Sequence, residues 1–490
     1  MRLHKLLASA GFEQGDIARF SDREVTGVVS DFRTFEVGNI FVAIRGLRYD
    51  GSTCIAEALA RGASLVLCEC PFDDPRVMRV ENARASLACL LDAWYDHPSR
   101  HLHLIGITGT NGKTSTAAML FHVLRQTGHS CGLIGTVECR LDDRVLTARG
   151  RDPLANMTTP DPDVLYDLLS QMHRLGARYV VMEVTSHALF FSKVAPLRFV
   201  RGVFTNLTAD HLDLHGDMES YFLEKRKLFD ACEGAVISCS TAYGARLADS
   251  LEIPLWRVDD RVVSEVTLQG LDGIDFTLRA PCEGRCAVHL PVAGEFMTEN
   301  GALAAMTAIS LGIPASAVTA ALSRFPGVRG RMERVLSDAS KPTVLLDYAH
   351  TPDALEKLLR SVRACMGEQN RLTVLFGCGG DRDRSKRAEM GRIASRLADL
   401  TVLTSDNCRN ERPEDILRDV LKGIDKEKPY RVIPDRRAAI RYAVKTARAG
   451  DAVVLAGKGH ETYEIRGGER LEFSEREIVE ACFAEGEKGG

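Results

Sequence analysis

The chain has 490 residues, 45% of them apolar, and 63 basic against 67 acidic side chains, a formal charge of −4. That length suggests about three domains of ~150 residues, each able to bury a core, and the charge balance argues against nucleic acid or an anionic membrane as partner. No run reaches the ~18 apolar residues that span a bilayer, and the 14 cysteines lack paired-finger spacing, so zinc is not expected and a cytosolic protein with reduced thiols is.

In chain order, residues 1 to about 95 carry short alternating segments, such as Asn39-Ile40-Phe41-Val42-Ala43-Ile44, and an Ala-rich helix before Ala63-Ser64-Leu65-Val66-Leu67. This reads as a small α/β domain. The apolar patch within residues 1–16 is too short for a secretory signal. A polar, proline-containing turn at residues 94–100 reads as a linker. Next comes an apolar strand at 102–107, then Thr108-Gly109-Thr110-Asn111-Gly112-Lys113-Thr114, then a helix over 115–125. Strand, glycine turn, Lys-Thr and helix form the layout of a nucleotide phosphate loop. Backbone N–H groups and a helix N-terminus surround a polyphosphate, Lys113 neutralises it and Thr114 holds Mg²⁺. Ile107 stands where the strict pattern has its first glycine, so the loop is a variant built on Gly109 and Gly112.

Beyond the loop, strands alternate with helices up to about residue 325, and again from about 335 to the end. The apolar runs at 179–184, 202–204, 343–346, 372–376, 400–404 and 452–455 predict parallel sheets covered on both faces. These strands end in polar clusters: Glu183-Val184-Thr185-Ser186-His187, Thr205-Asn206, Asp347-Tyr348-Ala349-His350, Gly377-Cys378-Gly379-Gly380-Asp381, Ser405-Asp406-Asn407 and Gly457-Lys458-Gly459-His460-Glu461. Ligands of open α/β sheets bind outside the carboxyl ends of the strands. Clusters in two domains predict two facing crevices that close on one set of substrates.

Residue by residue, Glu183 reads equally well as a Mg²⁺ ligand and as a helix-capping carboxylate. His211 and His215, with Asp210 and Asp213, suit a metal or phosphate site, although a polar loop is the commoner reading. Lys225, beside Arg226 and Lys227, reads as a solvated basic face. Asp381-Arg382-Asp383-Arg384 and Asp406-Asn407-Cys408-Arg409 each place an Arg after a strand end, the fork suited to a carboxylate-bearing substrate.

Together Gly106-Ile107-Thr108-Gly109-Thr110-Asn111-Gly112-Lys113-Thr114, Met182-Glu183-Val184-Thr185-Ser186-His187, Phe204-Thr205-Asn206-Leu207, Asp210-His211-Leu212-Asp213, Leu346-Asp347-Tyr348-Ala349-His350-Thr351-Pro352, Phe376-Gly377-Cys378-Gly379-Gly380-Asp381-Arg382-Asp383 and Ala456-Gly457-Lys458-Gly459-His460-Glu461 resemble the Mur ligases. The resemblance covers nearly the whole chain. It implies an α/β, three-domain architecture: residues 1–97 for a UDP-substrate, 98–330 as a central ATP-binding unit on a P-loop parallel sheet, and 331–490 as a Rossmann-like amino-acid-binding unit. It implies an ATP-dependent, Mg²⁺-requiring ligase of peptidoglycan precursor synthesis, a cytoplasmic monomer. ATP phosphorylates a carboxylate of UDP-MurNAc-L-Ala-D-Glu, and an amino acid's amine attacks the acyl phosphate.

The resemblance also implies roles. Gly109, Thr110, Asn111, Gly112, Lys113, Thr114, Asn300, Arg331 and Asp347 would contact ATP. Thr114, Glu183 and His211 would hold Mg²⁺. Lys225 would be carbamylated, in contrast to the basic-face reading. Asp31, Arg33, Thr158, Thr159, Ser186 and Lys193 would contact the UDP-substrate, and Arg382, Asp406, Asn407, Arg409, Gly457 and Glu461 the incoming amino acid. The Arg of Asp-Asn-x-Arg implies meso-diaminopimelate. Phe32 departs from the Ser of Asp-Ser-Arg, Lys193 from Arg, and Cys408 from Pro. Two other readings stay open: a ligase of the same chemistry with L-lysine or another acid as partner, and a P-loop regulatory or motor ATPase.

Overall fold

The computed structural model describes residues 1–46, 49–148, 157–281, 283–335 and 340–487; Cys282 lies outside them. In the N-terminal unit four short strands, Gly27–Val29, Asn39–Ala43, Leu65–Cys68 and Val77–Arg79, run parallel in that order. The alternation expected at 39–44 is one of faces, not of exposure, since Asn39–Ala43 is buried throughout. Ile40 and Val42 pack with Leu87 and Leu91 of the helix Ala83–Trp94, whereas Phe41 and Ala43 pack with Ile55 and Ala58 of the helix Ile55–Ala60. Crossover helices cover a parallel sheet on both sides, so both of its faces must be apolar.

The central unit is built on an eight-stranded sheet. Its core strands are β1 (His103–Thr108), β2 (Tyr179–Glu183) and β3 (Arg201–Phe204), with β1 between the other two. Ala235–Ser238 and Leu255–Val258 extend it in parallel beyond β3, and Cys131–Ile134 pairs in parallel with β2. Cys139–Leu141 and Arg144–Val145 close that edge antiparallel, so the sheet is mixed, not purely parallel. The helix α1 (Lys113–Gln126) starts two residues earlier than the sequence suggests, at Lys113 itself, because Gly112 takes the left-handed turn at its N-terminus. A three-stranded antiparallel sheet, Val263–Leu268, Ile274–Ala280 and Gly284–Leu290, was not expected. Its inner residues Ile274, Phe276, Leu278, Val288 and Leu290 share a core with α1 and the helix Phe296–Ser310.

The helix α2 (Met218–Arg226) is capped by the Asp217 carboxylate, which accepts from Ser220 N. The C-terminal unit has β4 (Thr343–Asp347), β5 (Leu372–Phe376), β6 (Leu400–Leu403) and β7 (Ala452–Ala456) in parallel, with β7 between β4 and β5. The helix α3 (Pro352–Ala364) follows β4. Thr351 caps it by accepting from Ala354 N, and Pro352 sits in the first turn, where no N–H is needed. Leu355, Met390 and Ile416 cover one face of this sheet, and Ile440 and Ile478 the other. This is a doubly wound unit, and the carboxyl ends of its strands face the phosphate loop.

Candidate functional site

β1 carries the loop to the carboxyl edge of the central sheet. Gly109 has φ +145, and a Cβ there would stand 1.9 Å from Thr205 Oγ1; Gly112 has φ +84, and a Cβ would stand 2.3 Å from Asn300 Oδ1. Both glycines are therefore required by close approach. The end of β3 holds the loop in place: Thr110 N donates to Asn206 O at 2.9 Å, Asn111 N to Asn206 Oδ1 at 2.9 Å, and Thr205 Oγ1 to Asn111 O at 2.6 Å. Lys113 folds its ammonium onto the carbonyls of Gly109 and Thr110 at 2.9 and 2.8 Å. Burial lowers the pKa of that ammonium.

Glu183 ends β2 with 1% exposure. Its Oε2 accepts from Thr114 Oγ1 at 2.9 Å and Thr136 Oγ1 at 3.0 Å, and its Oε1 from Thr136 N at 2.7 Å. It is not a helix cap; Thr185 caps the next helix, accepting from Ala188 N. Hydroxyl and carboxylate oxygens side by side suit a hard cation such as Mg²⁺. His211 lies 3.4 Å from the Asp210 carboxylate, its ring centroid 4.7 Å from that of His187. Burial holds both imidazoles neutral, with pKa lowered to about 4, which leaves each a lone pair. His215 does other work: it is buried, hydrogen-bonded to Ser186 Oγ at 3.0 Å and stacked on Tyr221. Among the described residues no group of three or more His, Cys, Asp or Glu is arranged to hold a metal.

Lys225 corrects the basic-face reading. It is 1% exposed, donates to Gly109 O at 2.9 Å from α2, and lies 4.6 Å from the Tyr221 ring centroid. Burial, with repulsion from Lys113, drives its pKa well below the usual lysine value. Sequence spacing did not show this, because the neighbours Arg226 and Lys227 do face outward.

Across the cavity, Arg331 donates from Nη2 to Thr114 Oγ1 at 3.2 Å and lies over the Tyr348 ring, and Asn111 Nδ2 donates to Asp353 Oδ2 in α3 at 2.9 Å. Asp347 accepts from Met332 N and Ala349 N, both at 2.8 Å, so its carboxylate also fixes the linker that precedes it. That linker is tied down further. Gly330 N donates to Glu333 Oε2 at 2.6 Å, and Glu333 pairs with Arg476. A Cβ on Gly330 would stand 2.1 Å from His460 N.

The amino-acid candidates converge. Asp406 and Asn407 follow β6 and are buried, and Asn407 Nδ2 donates to Glu461 Oε2 at 2.8 Å. A Cβ on Gly457 would stand 2.9 Å from Asp406 Oδ2. Arg409, at φ +53, donates from Nη1 to Gly380 O at 2.9 Å. Burial and the nearby Arg409 lower the pKa of Arg382. Arg387, 1% exposed, binds Glu411 and Gly379 O, and Glu411 accepts from Asp381 N, which joins the Arg382 and Arg409 loops. Cys408 is buried, its Sγ directed at Ile465 O.

The UDP-substrate candidates divide. Thr158 lines the cavity. Behind it, Thr159 Oγ1 donates to Glu183 O at 2.9 Å and Ser186 is buried. The Lys193 ammonium is paired with Asp161 at 2.8 Å. Asp31 and Arg33 lie away from the cavity and pair with each other at 2.7 Å. Phe32, in place of the family's Ser, stacks on Phe35 beneath Arg61.

The facing crevices form one cavity of about 500 Å³. It is lined by Asn111, Lys113, Glu183, His211 and Asn300 from the central unit, and by Arg331, Asp347, Arg382, Asp406, Asn407, Arg409, Gly457 and Glu461 from the linker and C-terminal unit. Gly109 and Lys225 lie just beneath it. The sequence reading missed Thr136, which follows another strand end, and Tyr348 and Lys458, which sit inside motifs already singled out.

This arrangement, a variant phosphate loop facing an acid-and-arginine pocket on a second doubly wound unit, is that of an ATP-dependent amide-bond ligase. The Mur ligase middle domain matches residues 107–309, and the Mur ligase glutamate ligase domain matches residues 330–459; the chain belongs to the Mur ligase family. Its relatives are specific. A UDP-N-acetylmuramoyl-L-alanyl-D-glutamate--2,6-diaminopimelate ligase of Gloeobacter violaceus is 43% identical, covering 97% of both chains. One of the same name from Chlorobaculum tepidum is 41% identical over 94% of this chain and 93% of its own. A solved structure of an enzyme of that name superposes with TM-score 0.66 at 29% identity, over 94% of this chain and 95% of the other.

Proposed function

We propose that this protein joins meso-2,6-diaminopimelate to UDP-N-acetylmuramoyl-L-alanyl-D-glutamate, with ATP converted to ADP and phosphate, in peptidoglycan precursor synthesis. The observation that carries this is the single cavity shared by the phosphate loop and the Asp406–Arg409–Glu461 pocket. A substrate carboxylate oxygen attacks the γ-phosphorus of ATP and ADP leaves. The amine of the amino acid then attacks the acyl carbon, and phosphate departs with the C–O electron pair. Charge crowding between carboxylate and polyphosphate makes most of the barrier, so cations and positioning supply most of the catalysis.

In this reading Lys113 and the N–H groups of the loop hold the β- and γ-phosphates, and Asn300, Arg331 and Asp347 border the nucleotide. Thr114, Glu183 and His211 would hold Mg²⁺, which supplies charge neutralisation at the phosphates. Lys225, whose pKa burial lowers, supplies the amine that carbon dioxide needs; carbamate formation releases one proton and leaves an anion beneath the loop. Thr158, Thr159, Ser186 and Lys193 border the nucleotide-peptide. Lys193 must share its charge with Asp161, and Asp31 and Arg33, paired with each other at the surface, would meet the UDP end. Arg409 and Arg382 take the far carboxylate of diaminopimelate, and Asp406 and Glu461 its ammonium. The proposed divisions fall near residues 97 and 330. ATP and a UDP-linked acceptor support the cytoplasm. The test is phosphate release. It should require ATP, the UDP-dipeptide and diaminopimelate together; release with ATP alone would instead support a regulatory ATPase.

A further inference from the structure

Lys458 lies beneath the amino-acid pocket with 0% exposure. Its ammonium donates to Tyr463 O at 2.8 Å and Asn407 Oδ1 at 3.1 Å, with Asp406 Oδ1 at 3.4 Å and Glu461 Oε2 at 3.7 Å. Asn407 Oδ1 also accepts from Ile465 N at 2.9 Å, which leaves the amide NH₂ to donate to Glu461. One ammonium thus orients the Asn407 amide and touches both carboxylates of the pocket.

Two carboxylates in one desolvated pocket do not both ionise without a cation between them. Asp406 has a second one, the buried Arg436, and its carboxyl is held below the usual range despite burial. Glu461 has less support: burial and Asp406 push its carboxyl up, opposed by Lys458, the Asn407 amide and Arg409. The titratable groups around it are Asp406 and Arg409 from the loop after β6, Lys458 and His460 from its own loop, Tyr348 from the loop after β4, and Tyr463.

We infer that Lys458 is a positioning residue for the amino-acid substrate: its buried ammonium keeps Glu461 ionised beside Asp406 and turns the Asn407 amide toward it. With Arg436 paired to the buried Glu475 at 2.8 Å, three carboxylates against two cations leave a single negative charge for the one ammonium at the far end of a diamino acid, while Arg409 meets the neighbouring carboxylate. The inference rests on the amino-acid pocket proposed above. Lys458 itself touches no substrate.

The test is the pH dependence of the KM for diaminopimelate in Lys458→Gln, which keeps hydrogen-bond donors but removes the charge. Without the cation, Glu461 and Asp406 share a proton through neutral pH. The KM at about pH 6.5 should rise roughly 30-fold or more and recover about tenfold by about pH 8.5, while wild type changes less than about twofold. KM values for ATP and the UDP-dipeptide should stay within about twofold. A raised KM with no alkaline recovery overturns the inference. If Lys458→Gln does not fold, the Asp406→Asn/Lys458→Gln variant, which has no like-charge pair, serves instead. It should show no alkaline recovery, and any alkaline recovery there overturns the coupling of Glu461 to Asp406. Arg409→Ala runs alongside. A raised KM there with a wild-type profile in Lys458→Gln refutes this inference alone; an unchanged KM for diaminopimelate in both removes the pocket assignment itself.

Discussion

Arg409→Ala removes the guanidinium that the proposed pocket offers to the far carboxylate of diaminopimelate. The hydrogen bonds this guanidinium makes run from Nη1 to the carbonyls of Gly380 and Asn407, so Nε and Nη2 form the fork for a ligand. The backbone should survive the change, because Arg409 N still donates to Ile465 O at 3.0 Å and alanine replaces a residue already at φ +53. Truncating one half of a desolvated charge pair costs about 2–5 kcal/mol, so kcat/KM for diaminopimelate should fall by roughly 30-fold or more. A site built around a carboxylate rejects the analogue lacking it by up to ~10⁴-fold, so discrimination against L-lysine should collapse together with the main activity. Coupled phosphate release, with each amino acid titrated at saturating ATP and UDP-dipeptide, measures both. Full discrimination in the variant, or equal use of L-lysine by the wild type, would refute the assignment of Arg409.

Lys113→Ala should abolish three-substrate phosphate release while the melting temperature stays within a few degrees; near-normal turnover would remove the nucleotide site from this loop. Lys225→Ala should lose activity and regain part of it with short carboxylic acids that replace the carbamate anion, an effect read from initial rates with and without acetate. Gly112→Ala sets a Cβ against Asn300 and a side chain at φ +84; the KM for ATP should rise about tenfold or more, the left-handed geometry alone costing about 1–2 kcal/mol. His350 and His460 have pKa values lowered to about 4 and about 3. Between those values and about 6.5 the unfolded state therefore binds more protons, and stability should fall as pH drops from about 7.5 to about 5.5. A urea midpoint that does not move over that interval would contradict it.

Much of the site was legible because chemistry in this fold gathers at strand ends. Gly109, Gly112, Lys113 and the clusters after β4 to β7 could be placed from local pattern alone, since a strand, a turn and a helix fix where their junction points. Glu183 could not be decided locally, as the choice between cap and ligand depends on Thr136 and Thr185, residues distant from it or equal to it in local pattern. Lys225 was read wrongly because burial is a property of the packing of α2 under the loop, and the charged residues next to it in sequence face the other way. The antiparallel sheet at residues 263–290 was missed because its outer positions are polar and its inner ones alternate, a weaker signal than the continuous apolar runs of parallel strands. Family resemblance alone supplied the role of Asp31 and Arg33, because nothing in the local pattern of that partly exposed segment points to a ligand.

The linker is fastened to the C-terminal unit at three points: Gly330 through Glu333 to Arg476, Met332 to Asp347, and the close approach of Gly330 to His460. Residues 330–335 must therefore travel with that unit as one rigid body, and any pivot lies upstream, around Gly327 with its φ of +85. Arg331 therefore belongs to the C-terminal unit although it precedes β4 in the chain. Its 3.2 Å contact with Thr114 ties that unit to the phosphate loop, so any swing of the unit about Gly327 would break it, and the arginine would act as a mechanical indicator of whether the two halves are engaged.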